Sequence, residues 1–297
     1  GTVSVEVPFR GDVAAVEPHW GTYVAAMASE VGAVTGVRGH IVSDIPAGAG
    51  LSSSAALECA VGLALGFDGT ALELSQAAQR AEHRATGVPT GIMDQSASLL
   101  GERDHAVFLD CKSLEAQAIE LGFDREGLEL MIIDTQVSHR LTDGGYATRR
   151  AACELGASQM SVTSLRELSE GDLAKAEDIM DDVTFRRVRH IVTENNRVLE
   201  TVANLKQHGP KSIGALLNAS HVSMRDDFEI SIDELDTAVD VAVRHGAIGA
   251  RMTGGGFGGA VIALAPIEKV SEITLAVLAE FELLGYGKPN IFAVTAD

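Results

Sequence analysis

One glycine- and serine-rich segment could bind phosphate without any lysine. It reads Pro46-Ala-Gly-Ala-Gly-Leu-Ser-Ser-Ser-Ala-Ala-Leu57 and lies between a predicted strand and a predicted helix. The glycines allow tight curvature, and the serines place small hydroxyl groups where the helix begins. The first N–H groups of a helix have no intrahelical partner and carry partial positive charge, so they attract phosphate. The predicted nucleotide-binding residues are Gly48, Ala49, Gly50, Leu51, Ser52, Ser53 and Ser54.

Two other phosphate-binding motifs do not fit this segment. A Walker A loop needs Gly-Lys-Ser/Thr, and the segment contains no lysine. A dinucleotide-binding fingerprint needs a third glycine where Ser53 stands. The remaining alternative is an ordinary serine-capped helix after a glycine turn. Three consecutive serines after Gly-x-Gly-Leu favour phosphate binding over that alternative.

The segment resembles the second signature of the GHMP small-molecule kinases. Gly87–Gln95, which reads GVPTGIMDQ, resembles the galactokinase segment that carries a catalytic aspartate, and Thr253–Gly259, TGGGFGG, resembles the third GHMP signature. Three further stretches look like galactokinases: Ile133–His139, Tyr146–Arg150 and His221–Asp227. This resemblance runs in order from about residue 40 to the end of the chain. It implies an enzyme that transfers the γ-phosphoryl group of ATP to the C1 hydroxyl of galactose.

The resemblance assigns two carboxylates to the reaction. Asp94 matches the catalytic aspartate that contacts the C1 hydroxyl, and the residues leave open whether it abstracts the proton or only orients the hydroxyl. Glu82 and Ser54 match magnesium ligands, and Mg²⁺ is often bound by only one or two protein oxygens. From the residues alone, Asp94 could equally be a helix N-cap. Glu82 could be a surface charge paired with a nearby arginine.

Two further residues match family positions that touch the sugar, Gly91 and Tyr146. The family usually has asparagine after this tyrosine, whereas this chain has Ala147, so Tyr146 could instead be a half-buried tyrosine with its hydroxyl at the surface. The glycines of Thr253–Gly259 precede a predicted strand and not a helix. We therefore expect them to allow close backbone approach and to support the nucleotide site structurally.

Other polar residues are expected to have structural roles. His139 and His221 lack a metal-ligand spacing, so both are predicted to be buried, hydrogen-bonded histidines. Arg186, Arg187 and Arg189 form a short basic cluster that is predicted to be a solvated helix face.

The elements that must position these residues follow from hydrophobic periodicity. Predicted helices are Trp20–Glu30, Ser53–Leu65, Leu72–Arg84, Leu235–Arg244 and Ser271–Leu284, with a core-facing stripe on a long helix at Val188, Ile191, Val192, Val198, Val202 and Leu205. Predicted strands are Thr2–Val7, Gly39–Ile45, Ala106–Asp110, Glu129–Asp134, Ala260–Leu264 and Ile291–Val294, with a loop at Lys112–Gly127.

This mixed order of elements predicts an α+β fold in both halves. The resemblance implies the two-domain GHMP kinase fold, with residues 1–122 like ribosomal protein S5 domain 2 and residues 123–297 a ferredoxin-like half. It also implies that nucleotide and sugar meet between the two halves.

Net charge and cysteine spacing limit the kinds of partner and the compartment expected for this protein. The formal net charge is −19, which opposes binding to nucleic acid or an anionic membrane over long range. The three cysteines are widely spaced without a CxxC pair, which favours a reducing cytoplasm. Expected partners are ATP, Mg²⁺ and galactose, and the expected state is a monomer or weak homo-oligomer.

Nothing between Gly1 and Ile45 matches the first family signature, which normally supplies groups that hold the sugar hydroxyls. Together with the non-methionine start, this predicts that the sequence is a fragment. It also leaves open two alternatives, a kinase for N-acetylgalactosamine or arabinose and a non-catalytic sensor of galactose and ATP. The intact Gly-Leu-Ser-Ser-Ser-Ala run favours an enzyme.

Overall fold

The computed structural model describes residues 13, 16–33, 37–43, 45, 52–137 and 145–293. The chain divides into two compact units. The first comprises Gly1–Ala47, Leu51–Glu102 and Ala106–Ala118, and the second Gly48–Gly50, Arg103–His105 and Ile119–Asp297. The predicted strand Thr2–Val7 lies outside the described residues, as do Gly48, Ala49, Gly50, Leu51 and His139.

Four helices build the described part of the first unit: α1 (Gly21–Glu30), α2 (Ser53–Ala64), α3 (Ala71–Thr86) and α4 (Met93–Leu100). Small residues let them pack closely. Ala77, Ala78 and Ala81 of α3 are at most 1% exposed and form the apolar face of this helix. A Cβ atom on Gly62 of α2 would come within 2.6 Å of Leu74 Cδ1, so glycine permits this approach of α2 to α3.

The ends of α3 are fixed by local sequence. Thr70 and Glu73 form a capping box, in which Thr70 N donates to Glu73 Oε2 at 2.7 Å and Glu73 N donates to Thr70 Oγ1 at 3.2 Å. Gly87 ends the helix in the left-handed conformation at φ 72°. The capping box and Gly87 therefore fix where this helix begins and ends. Glu82 lies in its penultimate turn.

Among the predicted strands and loops, two segments differ from the structure. Residues 39–43 form no strand and are exposed, with Val42 at 90%, because no described segment pairs with them. The predicted loop Lys112–Gly127 contains a strand. β1 (His105–Leu109) and β2 (Ala116–Glu120) form a two-stranded sheet, along which the chain passes from the first unit to the second. β2 was missed because only Ile119 of its residues is buried.

The second unit contains a four-stranded sheet in the order β4-β5-β3-β6. Its strands are β3 (Leu128–Asp134), β4 (Gly249–Met252), β5 (Ala260–Pro266) and β6 (Asn290–Ala293). The central strand β3 pairs antiparallel with β5 and β6, so that Ile133 faces Val261 on one side and Ile291 on the other. Its helices are α5 (Gly145–Gln159), α6 (Leu173–Ile179), α7 (Asp182–His208), α8 (Gly214–Ser223), α9 (Asp233–Arg244) and α10 (Val270–Leu284).

The main core of this unit packs α9 and α10 against the sheet. Leu235, Ile273 and Val261 are completely buried there. On α7 the predicted stripe is confirmed at Val188 and Val192, which are at most 2% exposed. Val198 is 42% exposed, so its assignment to the stripe was wrong.

The α+β, two-domain character predicted from the sequence is confirmed, whereas the boundary at residue 122 stays a prediction. Among the residues that the structure describes, no helix has the length and apolar character needed to cross a lipid bilayer.

Candidate active site

The start of α2 does not have the geometry of an ordinary serine cap. Ser52 is the N-cap residue, yet its side chain makes no capping hydrogen bond, and its backbone is left-handed at φ 54°, ψ 46°. A serine pays for this conformation with roughly 1–2 kcal/mol of strain, and such strain concentrates at functional sites. The serine-capped alternative is therefore wrong. Ser54 Oγ instead donates to the Glu82 carboxylate at 2.9 Å.

Glu82 is held by three neutral donors. Its Oε1 accepts from Ser54 Oγ at 2.9 Å, and its Oε2 accepts from Thr90 Oγ1 and from Gln95 Nε2, each at 2.9 Å. The residue is 5% exposed. Its described polar contacts include no arginine or lysine, so the alternative of an arginine-paired surface charge is wrong. The structure brings Ser54 and Glu82 together as predicted.

Asp94 lies in the first turn of α4, with Ile92 at the N-cap position, so the N-cap alternative is also wrong. Burial raises the pKa of the Asp94 carboxyl, a hydrogen bond from Ser52 lowers it, and the nearby charge of Glu82 raises it again. The net effect is a pKa above the ordinary value for aspartate. A half-buried carboxylate of this kind is a better proton acceptor than an exposed one.

Glu58 is a third carboxyl group in this cluster and was not predicted from the sequence. It is fully buried, and burial, followed by the charge of Glu82, raises its pKa to about 9. Its Oε2 lies 3.5 Å from Gln95 Nε2, and its Oε1 has no hydrogen-bond partner among the described residues. The sequence contained one signal, because Glu58 follows Ser54 by four positions and so shares its helix face.

The remaining predicted site residues have different settings. Gly91 is exposed in the loop before α4, and a Cβ atom there would meet nothing within 4 Å. Ser53 is half-buried as the first residue of α2. Tyr146 is half-buried in the second unit, near the start of α5 and 3.9 Å from the Cβ position of Gly255.

The third glycine-rich segment precedes β5 and allows close backbone approach, as predicted. Gly256 has φ 84°, and a Cβ atom there would lie 2.4 Å from Ile230 O. Neighbouring Phe257 N donates to the same oxygen at 2.7 Å. The segment therefore fastens the chain after α8 to the end of the sheet, and its proposed support of a nucleotide site stays a prediction.

His221 is buried, and its Nδ1 accepts from Met252 N at 3.3 Å, which confirms a structural histidine. The arginine cluster on α7 was interpreted wrongly. Arg187 is only 3% exposed and forms an ion pair with Glu229, while Arg189 pairs with Asp227. These acidic partners lie about 40 residues along the chain, which is why the local sequence concealed them.

The donor set around Glu82 fits a magnesium ion. Hard oxygen ligands suit Mg²⁺, which takes few protein ligands and keeps its other positions for phosphate oxygens and water. Among the described residues no group of three or more His, Cys, Asp or Glu could hold a metal. The cluster thus offers a carboxylate with an adjacent hydroxyl, and not a dedicated protein cage.

Comparisons with known proteins agree with these features. The GHMP kinases N terminal domain matches residues 19–102, and the GHMP kinases C terminal domain matches residues 201–283. The chain is 45% identical to a galactokinase of Streptomyces coelicolor over 267 residues, which are 87% of this chain and 68% of that protein. It is 39% identical to a galactokinase of Mycobacterium tuberculosis, covering 92% of this chain and 77% of that protein.

Solved structures give the same result. The galactokinase of Lactococcus lactis, crystallised with galactose, superposes with a TM-score of 0.86 at 34% identity, covering 93% of this chain and 75% of that one. A mevalonate kinase with 20% identity and a TM-score of 0.57 shares the fold. The chain belongs to the galactokinase family of the GHMP kinases.

Proposed function

We propose that this protein phosphorylates galactose at its C1 hydroxyl with ATP, giving galactose 1-phosphate and ADP. The observation that carries the proposal is that Ser54 Oγ, in the first turn of α2, donates to Glu82 Oε1 at 2.9 Å, while Ser52 at the same helix start is close enough to Asp94 to lower the pKa of that carboxyl. A phosphate held at this helix start would lie beside a carboxylate suited to a cation and another suited to a proton. Those are the groups that phosphoryl transfer requires.

In this proposal each residue has one task. The start of α2 holds the phosphates with its free N–H groups, together with Gly48–Leu51, and Ser54 and Glu82 hold Mg²⁺. The cation, when bound, neutralises charge that develops on the phosphates. Gly91 and Tyr146 contact the sugar.

Asp94 receives or orients the proton of the C1 hydroxyl. The C1 oxygen forms a bond to the γ-phosphorus, and the bond from that phosphorus to the β–γ bridging oxygen breaks as ADP leaves. The raised pKa of Asp94 favours its accepting this proton as the hydroxyl attacks.

A cytoplasmic location is part of the proposal. The cysteines Cys59, Cys111 and Cys153 are all free thiols, as expected of a protein kept in a reducing compartment.

The decisive test is a coupled ADP-release assay with galactose, N-acetylgalactosamine and arabinose, performed beside Asp94→Ala. We expect turnover of galactose and a loss of about 100- to 10,000-fold in kcat for the variant, with ATP binding retained. Asp233→Ala is the matched control, because Asp233 is also a first-turn helix aspartate but is exposed on α9. It should keep full activity.

Each alternative has its own outcome. Equal turnover by Asp94→Ala would remove Asp94 from the mechanism. Preferred turnover of another sugar would identify the related sugar-1-kinase. Binding of galactose and ATP without ADP release would identify the sensor.

A further inference from the structure

Gln95 is a polar side chain at a buried position, where an apolar side chain would be expected. It is fully buried between α2 and α3, and its Nε2 donates to Glu82 Oε2 at 2.9 Å and lies 3.5 Å from Glu58 Oε2. Its own Oε1 has no hydrogen-bond partner among the described residues. An unmet buried acceptor costs about 1–3 kcal/mol, whereas a methionine of similar volume would carry no such cost. Packing therefore does not explain the amide.

The contacts of Glu82 divide its two oxygens into different roles. Among the residues that the structure describes, Oε2 receives two donors, Thr90 Oγ1 and Gln95 Nε2, while Oε1 receives one, Ser54 Oγ. A carboxylate oxygen has about two lone-pair positions, so Oε2 is filled and Oε1 keeps one position open beside the serine hydroxyl. The hydrogen bonds thus prevent the Glu82 carboxylate from rotating, and they keep Oε1, the oxygen with an open position, beside Ser54.

Thr90 is itself held rigidly. Its carbonyl oxygen accepts from Gln79 Nε2 at 3.0 Å and from His83 Nε2 at 2.8 Å, both on α3. Glu82 therefore accepts hydrogen bonds from α2, from α4 and from the loop residue Thr90, which is itself hydrogen-bonded to α3. Hydrogen bonds to a metal-binding carboxylate from residues that do not themselves touch the metal hold that carboxylate in its orientation.

The chemical type of these donors matters as much as their position. An arginine at residue 95 would orient Glu82 equally well but would neutralise its charge and compete with a cation. An amide and a hydroxyl orient the carboxylate and leave its negative charge in place. This combination of donors keeps the Glu82 side chain in a fixed orientation while it remains negatively charged.

We propose that Gln95 is a positioning residue for the cation site, which holds Oε2 of Glu82 so that Oε1 is presented with Ser54 to the divalent ion. This inference rests on the proposed function, because it takes Glu82 and Ser54 as the cation ligands. Gln95 and Asp94 are consecutive residues of α4, so one helical turn orients both the carboxylate for the cation and the carboxylate for the proton.

The test measures metal binding directly. Mn²⁺ is titrated by calorimetry into the protein with a non-hydrolysable ATP analogue, for Gln95→Met, for Thr90→Val and for Ser96→Ala. We expect Gln95→Met and Thr90→Val to bind Mn²⁺ about tenfold more weakly, and the Mg²⁺ concentration for half-maximal turnover to rise equally. The KM for galactose should change less than about twofold in both variants. Ser96→Ala is the matched control, because Ser96 is buried on the same helix but its Oγ has no partner among the described residues.

Unchanged Mn²⁺ affinity in a folded Gln95→Met protein would overturn the inference while leaving the proposed function intact. If Gln95→Met does not fold, Thr90→Val decides, because it removes the other donor to Oε2 from a loop position. A loss of metal affinity equal to that of Ser96→Ala would also overturn it. Failure of the unsubstituted protein to bind Mn²⁺ with the analogue would overturn the cation assignment and this inference together.

Discussion

Glu82 and Glu58 of the first unit are stabilised differently from Glu229 and Glu194 of the second unit. In the first unit Glu82 is held by two hydroxyls and an amide, and Glu58 lies beside the same amide. In the second unit Glu229 accepts from Arg186 and Arg187, and Glu194 is paired with Arg197 at 2.7 Å and with Arg251 at 3.2 Å.

The pKa values record this difference. Burial and the charge of Glu82 raise the pKa of Glu58 to about 9, whereas hydrogen bonds from Arg187 and Arg186 lower the pKa of Glu229 to about 2. A guanidinium partner neutralises the carboxylate's charge by an ion pair within the protein. Neutral donors fix the carboxylate in place and leave its charge for a ligand. Glu58 and Glu82 therefore differ from Glu194 and Glu229, whose charges are paired with arginines.

The largest expected effect comes from Glu82→Gln, which keeps the shape of the side chain and removes its charge. We expect kcat/KM to fall on the order of 100- to 1,000-fold, because the lost charge is one that the cation needs. The melting temperature should change little, since no arginine or lysine among its described contacts loses a partner. Steady-state kinetics and thermal melting of the same preparation measure both.

The matched control in the second unit is Glu229→Gln. It should lower stability by about 2 kcal/mol, less than a fully buried pair because Glu229 is half exposed, and this corresponds to roughly 5 °C in melting temperature. Arg187, at 3% exposure, would lose its charged partner. Its Mg²⁺ dependence should match that of the unsubstituted protein. If the two variants behaved alike, the distinction between site and scaffold carboxylates would be lost.

A smaller effect is expected from Glu58→Gln, and it depends on pH. The folded protein keeps a proton on Glu58 between the ordinary pKa of 4.5 and about 9, whereas the unfolded chain releases it. Stability of the unsubstituted protein should therefore fall as pH rises through this window. The glutamine variant lacks this loss. Its free energy of unfolding minus that of the unsubstituted protein should therefore be about 2 kcal/mol larger at pH 8.5 than at pH 5.

Thermal melts in a chelator at these two pH values test the prediction. A stability difference that does not change with pH would mean that Glu58 is ionised in the folded protein, as Glu229 is.

The smallest effect compares Ser52→Gly with Ser52→Ala. Both remove the hydroxyl that lowers the pKa of Asp94, so the acid limb of the pH–rate profile should move to higher pH in both. Only glycine relieves the left-handed backbone, so the glycine variant should be the more stable by about 1 kcal/mol. Urea denaturation of the two variants measures this difference, and equal stabilities would contradict the strained conformation.

Much of the fold could be predicted because its signals are local. The helices α2, α3 and α10 and the strands β3 and β5 have strong periodicity or clear ends, such as the capping box at Thr70 and the stop at Gly87. The errors fall where local signals are weak. In β2 one apolar residue faces inward, and the segment at 39–43 has the composition of a strand without a described partner.

The candidate site shows the same limit. Ser54, Glu82 and Asp94 were predicted because each lies in a short segment with a family resemblance. Thr90, Gln95 and Glu58 were not given roles, because nothing in their neighbourhoods along the chain shows which carboxylate they contact. The buried ion pair of Arg187 was mistaken for a solvated face for the same reason.

The sequence by itself determined which chemical groups are present and which elements carry them: a helix beginning with serines, an aspartate in the first turn of another helix and a glutamate near the end of a third. Only the tertiary structure decided which of these groups meet. Ser54 and Glu82 are 28 residues apart, and Gln95 and Glu82 are 13 apart. Hydrogen bonds act over about 3 Å, so such contacts depend on how the helices pack and not on the order of residues along the chain.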